Sequence, residues 1–314
     1  IIALLARSGD EASMAYLRSI WDRSPEHREP VAMGLAQFPH GENWPYLILS
    51  LPVLDGVTAR EVLRSLNAVE QVPDDPEHIR QIILSGLRLK SRGGTDAVAL
   101  LTYWTGLDHG IEPDEWEAAL AAWQTWFAET YPDSPEAKLP IAAKEDKWKF
   151  DELLEHVQSE EGRAGDAING ALVFDEATCL KCHRCGDRGE SMGPDLTSLT
   201  KRFSQKEILQ SILHPSHVIP NQYAAKTLLL TNGRQISGIV APGPNGQLTI
   251  LKDDGEKVAV AEQDIEEMMP SKLSAMPTGL LNELTLEEIA DLIAFMSTTP
   301  KQSVAQKPTA EENR

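Results

Sequence analysis

Two cysteines and a histidine stand together in the segment Cys179-Leu180-Lys181-Cys182-His183. Two thiols three residues apart, at the end of a predicted helix, can add to the two vinyl groups of one porphyrin. The histidine that follows is then placed beneath the iron as its proximal ligand. Because C-x-x-C-H is the attachment motif of c-type haem, the segment predicts one covalent haem c that is held by Cys179 and Cys182, with His183 on the iron.

Two other chemistries are compatible with paired cysteines. A redox dithiol of the C-x-x-C type is expected in a βαβ context after a strand, and the flanking sequence predicts no such strand. A zinc site would recruit Cys179, Cys182, His183 and Cys185, but these four are crowded for a tetrahedron and no second ligand pair follows. Both alternatives stay open, and the spacing favours haem.

A proline loop, Gly193-Pro194-Asp195-Leu196, follows the histidine at a short interval. It resembles the Gly-Pro-x-Leu loop of monohaem class I cytochromes. The resemblance implies that the carbonyl of Pro194 accepts the Nδ1–H of His183 and that Leu196 packs on the haem face. Orientation of a ligating histidine through its second nitrogen is a general requirement of metal sites.

The second axial ligand is expected from later in the chain. We favour Met276, because it precedes Pro277 on an irregular stretch before the last predicted helix, where class I cytochromes carry their distal methionine. Met296 lies on the apolar stripe of that helix and is more typical of a core residue. The remaining candidates are an open site or one of Met192, Met268, Met269, His214 and His217.

Charge and cysteine content exclude several classes of protein. The 314 residues include 29 basic and 48 acidic side chains, which give a net charge of −19. This charge disfavours binding to nucleic acid or to anionic lipid and is compatible with a basic partner. Three cysteines are too few for a disulfide framework. No apolar run approaches the roughly 20 residues of a membrane span.

The elements that must position this site are mostly helical. Apolar residues recur at helical spacing in six segments of residues 1–133, which are separated by short polar, glycine or proline breaks. One of these helices is expected to begin at a capping Thr58 and the last at Pro113-Asp114. The layout resembles a HEAT-type helical array. Residues 134–163 are predicted to be a linker with a connecting helix over 151–159.

Residues 164–299 are predicted to form a class I-like cytochrome core that is interrupted by a β insert over 226–267. Within the insert the apolar period changes to two, and two turns of the Asn-Gly and Asp-Gly type predict four antiparallel strands. Capping residues Ser204 and Thr285 are expected to start two of the core helices. The predicted helices run over 164–174, 204–213 and 285–296, and residues 300–314 are expected to be disordered.

An ordered set of motifs over residues 164–298 is similar to one family. The set comprises Cys179-x-x-Cys182-His183, Met192-Gly193-Pro194-Asp195-Leu196-Thr197, Ile212-Leu213-His214-Pro215-Ser216, Asn221-Gln222-Tyr223, Asn232-Gly233-Arg234, Gly238-Ile239-Val240, Ala275-Met276-Pro277 and Ala290 to Phe295. It resembles the haem-binding cytochrome c domain of planctomycetes and verrucomicrobia. Cys185 departs from the pattern and is expected to be a bystander or an oxidation-prone thiol.

The resemblance implies an extracytoplasmic monohaem module at the C-terminus of a larger secreted protein, after a HEAT-like region. We therefore expect this chain to be part of a longer protein. It is predicted to be no enzyme itself, but to pass electrons from a dehydrogenase domain or protein to an acceptor carrier. Two alternatives stay open: a haem enzyme or gas sensor with an exchangeable distal ligand, and a docking scaffold whose helical half carries the function.

Overall fold

The protein divides its apolar side chains among three buried clusters. The computed structural model describes residues 1–109, 115–140 and 146–298. One cluster lies within residues 6–137, a second within residues 153–296, and a third inside a small antiparallel sheet. The predicted combination of a mainly helical chain with a small antiparallel sheet is confirmed. None of the helices in the described residues is long and apolar enough to cross a membrane.

The N-terminal region is built from short helices that pack on one another in chain order. These are α1 (Ile2–Ser8), α2 (Glu11–Arg23), α3 (Arg28–Leu35), α4 (Trp44–Ser50), α5 (Gly56–Asn67), α6 (Pro76–Leu89), α7 (Gly94–Thr105) and α8 (Trp116–Thr130). Each helix contacts the next one or two, as α5 does with α6 and α7, so that their apolar stripes share one core. Asp75 accepts a hydrogen bond from the backbone of Glu77 and starts α6 ahead of Pro76.

The number of helices and the start of α5 differ from the sequence prediction. Helices α1 and α4 lie where the pattern predicts no helix, because seven residues in each give too few turns for a clear periodicity. The capping role predicted for Thr58 is wrong: α5 begins at Gly56, and Oγ1 of Thr58 donates a hydrogen bond of 2.9 Å to Glu29. The predicted helix start at Pro113-Asp114 lies outside the described residues, and the HEAT-type character stays a prediction.

The second region holds the cysteine motif directly after one of two helices that pack closely. Its helices are α9 (Phe150–Gln158), α10 (Glu160–Arg163), α11 (Ala167–Glu176), α12 (Gln205–Leu213) and α13 (Leu286–Ser297). Helix α11 packs along α13, where Gly170 meets the backbone of Asp291 and Phe174 stacks at a tilt on Phe295. This pairing forms the base from which the motif projects.

The ends of these helices follow local capping chemistry. The capping boxes predicted at Ser204 and Thr285 are both present, each with a glutamate at the third helical position. The helix predicted over 164–174 instead begins at Ala167, because Asp166 caps it. The buried carboxylate of Asp291 accepts hydrogen bonds from the Asp166 backbone at 2.6 Å and from Asn169 at 2.7 Å. Asp291 of helix α13 thereby supplies hydrogen-bond acceptors to donors at the amino end of α11.

The β insert is larger than the sequence predicts. A two-stranded hairpin, β1 (Arg184–Cys185) and β2 (Arg188–Gly189), directly follows the cysteine motif. The insert itself comprises β3 (Lys226–Leu230), β4 (Gln235–Pro242), β5 (Gln247–Leu251), β6 (Lys257–Ala261) and β7 (Ile265–Pro270). These strands are antiparallel in the order β6-β5-β4-β3-β7.

The sequence predicts four strands and an insert that ends at residue 267. The structure has a fifth strand, β7, which extends the insert to Pro270. It pairs with the outer edge of β3, with Met268 opposite Leu228 and Met269 opposite Thr227. Its side chains are mostly exposed, and it includes the charged pair Glu266-Glu267, so it lacks the alternation of a half-buried strand. The two methionines are therefore strand residues rather than loop residues.

Several basic side chains join the two regions. Arg28 forms an ion pair with Glu207 and donates a hydrogen bond of 2.7 Å to the carbonyl of Arg202. Lys206 pairs with Asp55. Arg80, on α6, donates a bond of 2.7 Å to the carbonyl of His217. These contacts place the helical region against the segment that follows the cysteine motif.

The buried histidine of this interface predicts a loss of stability in acid. Burial, with the nearby Arg80, Arg88 and His214, lowers the pKa of His217 to about 4. The unfolded chain therefore binds one proton more than the folded chain between the ordinary histidine pKa of about 6.5 and 4, and protonation favours unfolding as the pH falls through that window. We expect the free energy of unfolding to fall by about 3 kcal/mol from this group across that window.

The measurement is urea unfolding at a series of pH values for the native chain and for His217→Gln. The variant should have a flatter stability profile between pH 6.5 and 4. Parallel profiles for the native chain and His217→Gln would contradict the expectation.

Candidate functional site

The cysteine motif occupies a single tight turn at the end of α11. Thr178 adopts a left-handed conformation (φ 61°) that ends the helix, and a 3₁₀ turn spans Cys179–Lys181. The backbone N–H of His183 donates to the carbonyl of Cys179 at 2.9 Å, and that of Cys182 donates to the same oxygen at 3.2 Å. The turn therefore brings both thiols and the imidazole onto one short segment.

The two thiols of the motif are free and partly buried. Burial raises the pKa of Cys179 to about 12. Burial also raises the pKa of Cys182, against the opposing effect of Lys181 and Lys257. Burial therefore disfavours the thiolate that redox exchange uses. In the part of the chain that the structure describes, no group of three or more His, Cys, Asp or Glu side chains is arranged to hold a metal ion.

Cys185 is separated from this pair by its burial. It lies on β1 with 2% of its surface exposed, within the second apolar cluster, and burial raises the pKa of its thiol. Such a thiol packs as a small apolar side chain. Its surroundings therefore favour the bystander role over an oxidation-prone one.

The imidazole of His183 is oriented by the proline loop. Its Nδ1 lies 2.9 Å from the carbonyl oxygen of Pro194. Burial lowers the pKa of His183, so the ring is neutral near pH 7 and Nδ1–H donates to this carbonyl. The lone pair of Nε2 is then the atom available to a metal, which is the usual arrangement of a ligating histidine.

The proline loop is bonded along its length to the cysteine turn. Gly193 donates from its backbone to the carbonyl of Cys182 at 2.8 Å, and Leu196 donates to the carbonyl of Arg184 at 2.8 Å. A Cβ on Gly193 would lie 3.1 Å from both Cε1 and Nδ1 of His183. The imidazole thus packs directly against the backbone of Gly193, where a side chain would crowd the ring. Leu196 is half-buried and packs against the second apolar cluster.

Met276 lies on a different segment from these residues. It is half-buried on the irregular stretch between β7 and α13, and its backbone donates to Oγ of Ser274 at 3.1 Å. Ser274 donates from its backbone to Oγ of Ser216 at 3.0 Å. The structure therefore ties Met276 to the turn after α12. By contrast, Met296 is 3% exposed in the core.

The sheet contributes residues to the site that the sequence analysis did not predict. The turn between β5 and β6 reaches the cysteine turn, where a Cβ on Gly255 would lie 2.7 Å from Cδ of Lys181. Lys257, at the start of β6, forms an ion pair of 2.8 Å with Glu190. These contacts link positions about 70 residues apart, so no local pattern could have indicated them.

Comparison with known proteins assigns this region to a class. Residues 167–300 match the family model described as Cytochrome c. The chain therefore carries a cytochrome c domain, and haem-based electron transfer is the general function of such a domain. A comparison with curated proteins finds no matching relative.

The residues present fit the haem that this family implies. Two thiols that form no disulfide stand beside a neutral histidine whose Nδ1 is already bonded, which leaves Nε2 to coordinate. The glycine at position 193 keeps the backbone close to the imidazole. This set of groups matches the requirements of covalent attachment with one axial histidine.

Proposed function

We propose that this chain is an extracytoplasmic electron-transfer module with one covalently attached haem c and no catalytic site of its own. The observation that carries the proposal is the 2.9 Å contact between Nδ1 of His183 and the carbonyl of Pro194, beside two free thiols. In a c-type centre this contact holds the histidine in the tautomer that presents Nε2. The match of residues 167–300 to cytochrome c supports the same assignment.

Each residue of the proposed site has a separate task. Cys179 and Cys182 would hold the haem through two thioether bonds, and His183 would coordinate its iron. Pro194 orients His183, and Leu196 would provide apolar contact to the haem. Met276 would supply the second iron ligand. When bound, haem supplies a one-electron iron couple, and the protein tunes its potential through the axial residues, burial and the hydrogen bond of His183.

The chemistry of haem c also supports a location and partners. Haem c is attached on the outer side of the cytoplasmic membrane, so we place the module in the periplasm or another extracytoplasmic space. A dehydrogenase domain or protein would donate the electrons and a separate carrier would accept them. The net charge of −19 favours a basic carrier, and association should weaken as salt screens that charge.

The test of the proposed ligand set is the variant Met276→Ala in the chain with haem attached. We expect loss of the near-infrared absorption band of methionine-ligated ferric haem and a reduction potential lower by the order of 100 mV, because a thioether ligand raises the potential. Absorption spectra and a potentiometric titration measure both effects.

Met269→Ala is the matched control, since Met269 lies on β7 rather than on the proposed ligand segment. It should keep both the band and the potential. Retention of the band in Met276→Ala would contradict the assignment. A native chain that lacks the band and binds cyanide directly would instead favour a sensor or enzyme with an exchangeable ligand.

A further inference from the structure

We infer that Arg80, in the helical region, is a positioning residue for the segment that carries Met276. The inference rests on the proposed function, because it takes Met276 to be the distal ligand. It assigns to the helical region a direct role in holding the ligand set. The connection passes through the turn of residues 214–217, which follows α12.

The guanidinium of Arg80 is buried and bonded to three different residues. The residue has 2% of its surface exposed. Its Nη2 donates to the carbonyl of His217 at 2.7 Å, and its Nε donates to the carbonyl of Glu136 at 3.0 Å. Its Nη1 pairs with Glu77 at 2.9 Å on the same helix. A planar guanidinium with donors fixed on three sides can hold the carbonyl of His217 in one place.

Hydrogen bonds lead from this turn to the methionine. The turn is closed by the backbone of His217, which donates to the carbonyl of His214 at 2.9 Å. Its Ser216 accepts the backbone N–H of Ser274 at 3.0 Å. The side chain of Ser274 then accepts the backbone N–H of Met276 at 3.1 Å. The bond from Arg80 and these three bonds together connect the helical region to the backbone of Met276.

These contacts act in series, so the loss of one should loosen the next. A looser Met276 segment lets the thioether leave the iron more often, although the fold remains intact. A merely structural contact between the two regions would not have this effect. The ion pair of Lys206 with Asp55 offers the comparison, because it also joins the regions but ends on α12 rather than on the 214–217 turn.

The experiment uses the full chain with haem attached, as Arg80→Gln, Ser216→Ala and the control Asp55→Asn. The rate at which saturating imidazole replaces methionine on the ferric haem is followed by stopped-flow absorption. We expect each of the first two variants to be about fivefold faster than the native chain, as for the loss of one hydrogen bond. The double variant should be no faster than the faster single variant, since both break one chain of contacts.

Amide hydrogen exchange at residues 274–276 provides a readout that does not depend on the haem. Exchange should rise in Arg80→Gln and in Ser216→Ala, and it should be unchanged in Asp55→Asn. If Arg80→Gln does not fold, Arg80→Lys replaces it in the test. Lysine keeps the charge and the buried stem but has no planar fork, so imidazole should still bind faster than in the native chain, by less than about fivefold.

Two outcomes would overturn the inference, and they differ from failure of the proposed function. Unchanged imidazole rates and unchanged exchange in both Arg80 variants would overturn the inference alone. An equal acceleration in Asp55→Asn would do the same, because it would indicate general loosening of the interface. A native chain without methionine ligation would overturn the assignment of Met276 and the inference with it.

Discussion

Replacement of both Cys179 and Cys182 with serine is expected to yield a chain that loses all its haem on denaturation. Serine has no thiol to form a thioether, so any haem that His183 binds is held only by coordination and packing. The native chain should keep its haem through denaturing electrophoresis, because the two bonds are covalent. Haem staining of the gel and the intact mass of the protein measure the difference.

The third cysteine supplies the control for this prediction. Cys185→Ala removes a thiol of the same sequence region that is buried in the apolar cluster, and it should retain the full haem stain. Each single variant of the pair should retain haem through its one remaining thioether. Loss of stain in Cys185→Ala, or its persistence in the double variant, would contradict the proposed attachment.

The substitution Gly170→Ala is expected to unfold or severely destabilise the second region. A Cβ at this position would overlap the carbonyl oxygen of Asp291 and lie 2.8 Å from Cβ of Phe295. The helices α11 and α13 would have to move apart, and the two hydrogen bonds that Asp291 accepts from the start of α11 would be strained. We expect a loss of at least about 3 kcal/mol in the free energy of unfolding, the upper range of overpacking in a core.

Chemical unfolding followed by circular dichroism tests this prediction. Ile168→Ala is the control on the same helix, because Ile168 is 82% exposed and alanine is the better helix former. Its free energy of unfolding should change by less than about 0.5 kcal/mol. A Gly170→Ala chain as stable as the Ile168→Ala chain would show that the two helices do not approach as closely as described.

The parts of the site that are local in sequence could be predicted. The C-x-x-C-H spacing determines which groups share one turn, and the proline loop lies 10 to 13 residues after His183. The capping boxes at Ser204 and Thr285 are likewise written within four residues each. In such cases the hydrogen-bond partners follow from chain connectivity, so residue types and spacing suffice.

The features that depend on distant pairing could not be predicted. Strand β7 owes its existence to the free edge of β3, not to a pattern of its own. The contact of Arg80 with His217 joins residues 137 positions apart. Burial of Cys185 follows from the β1–β2 hairpin, which directs it into the core. Each of these features depends on contacts with residues that are distant in the sequence, so a pattern in a short segment does not reveal it.

The proposed function requires one haem per chain that cycles between two oxidation states. A coulometric and spectroscopic titration of the full chain, produced in a host that attaches haem c, tests this requirement most directly. We expect a single reversible transition that takes up one electron per chain, with the spectrum of a six-coordinate c-type cytochrome in both states. A chain that takes up no electron reversibly, or more than one, would contradict it.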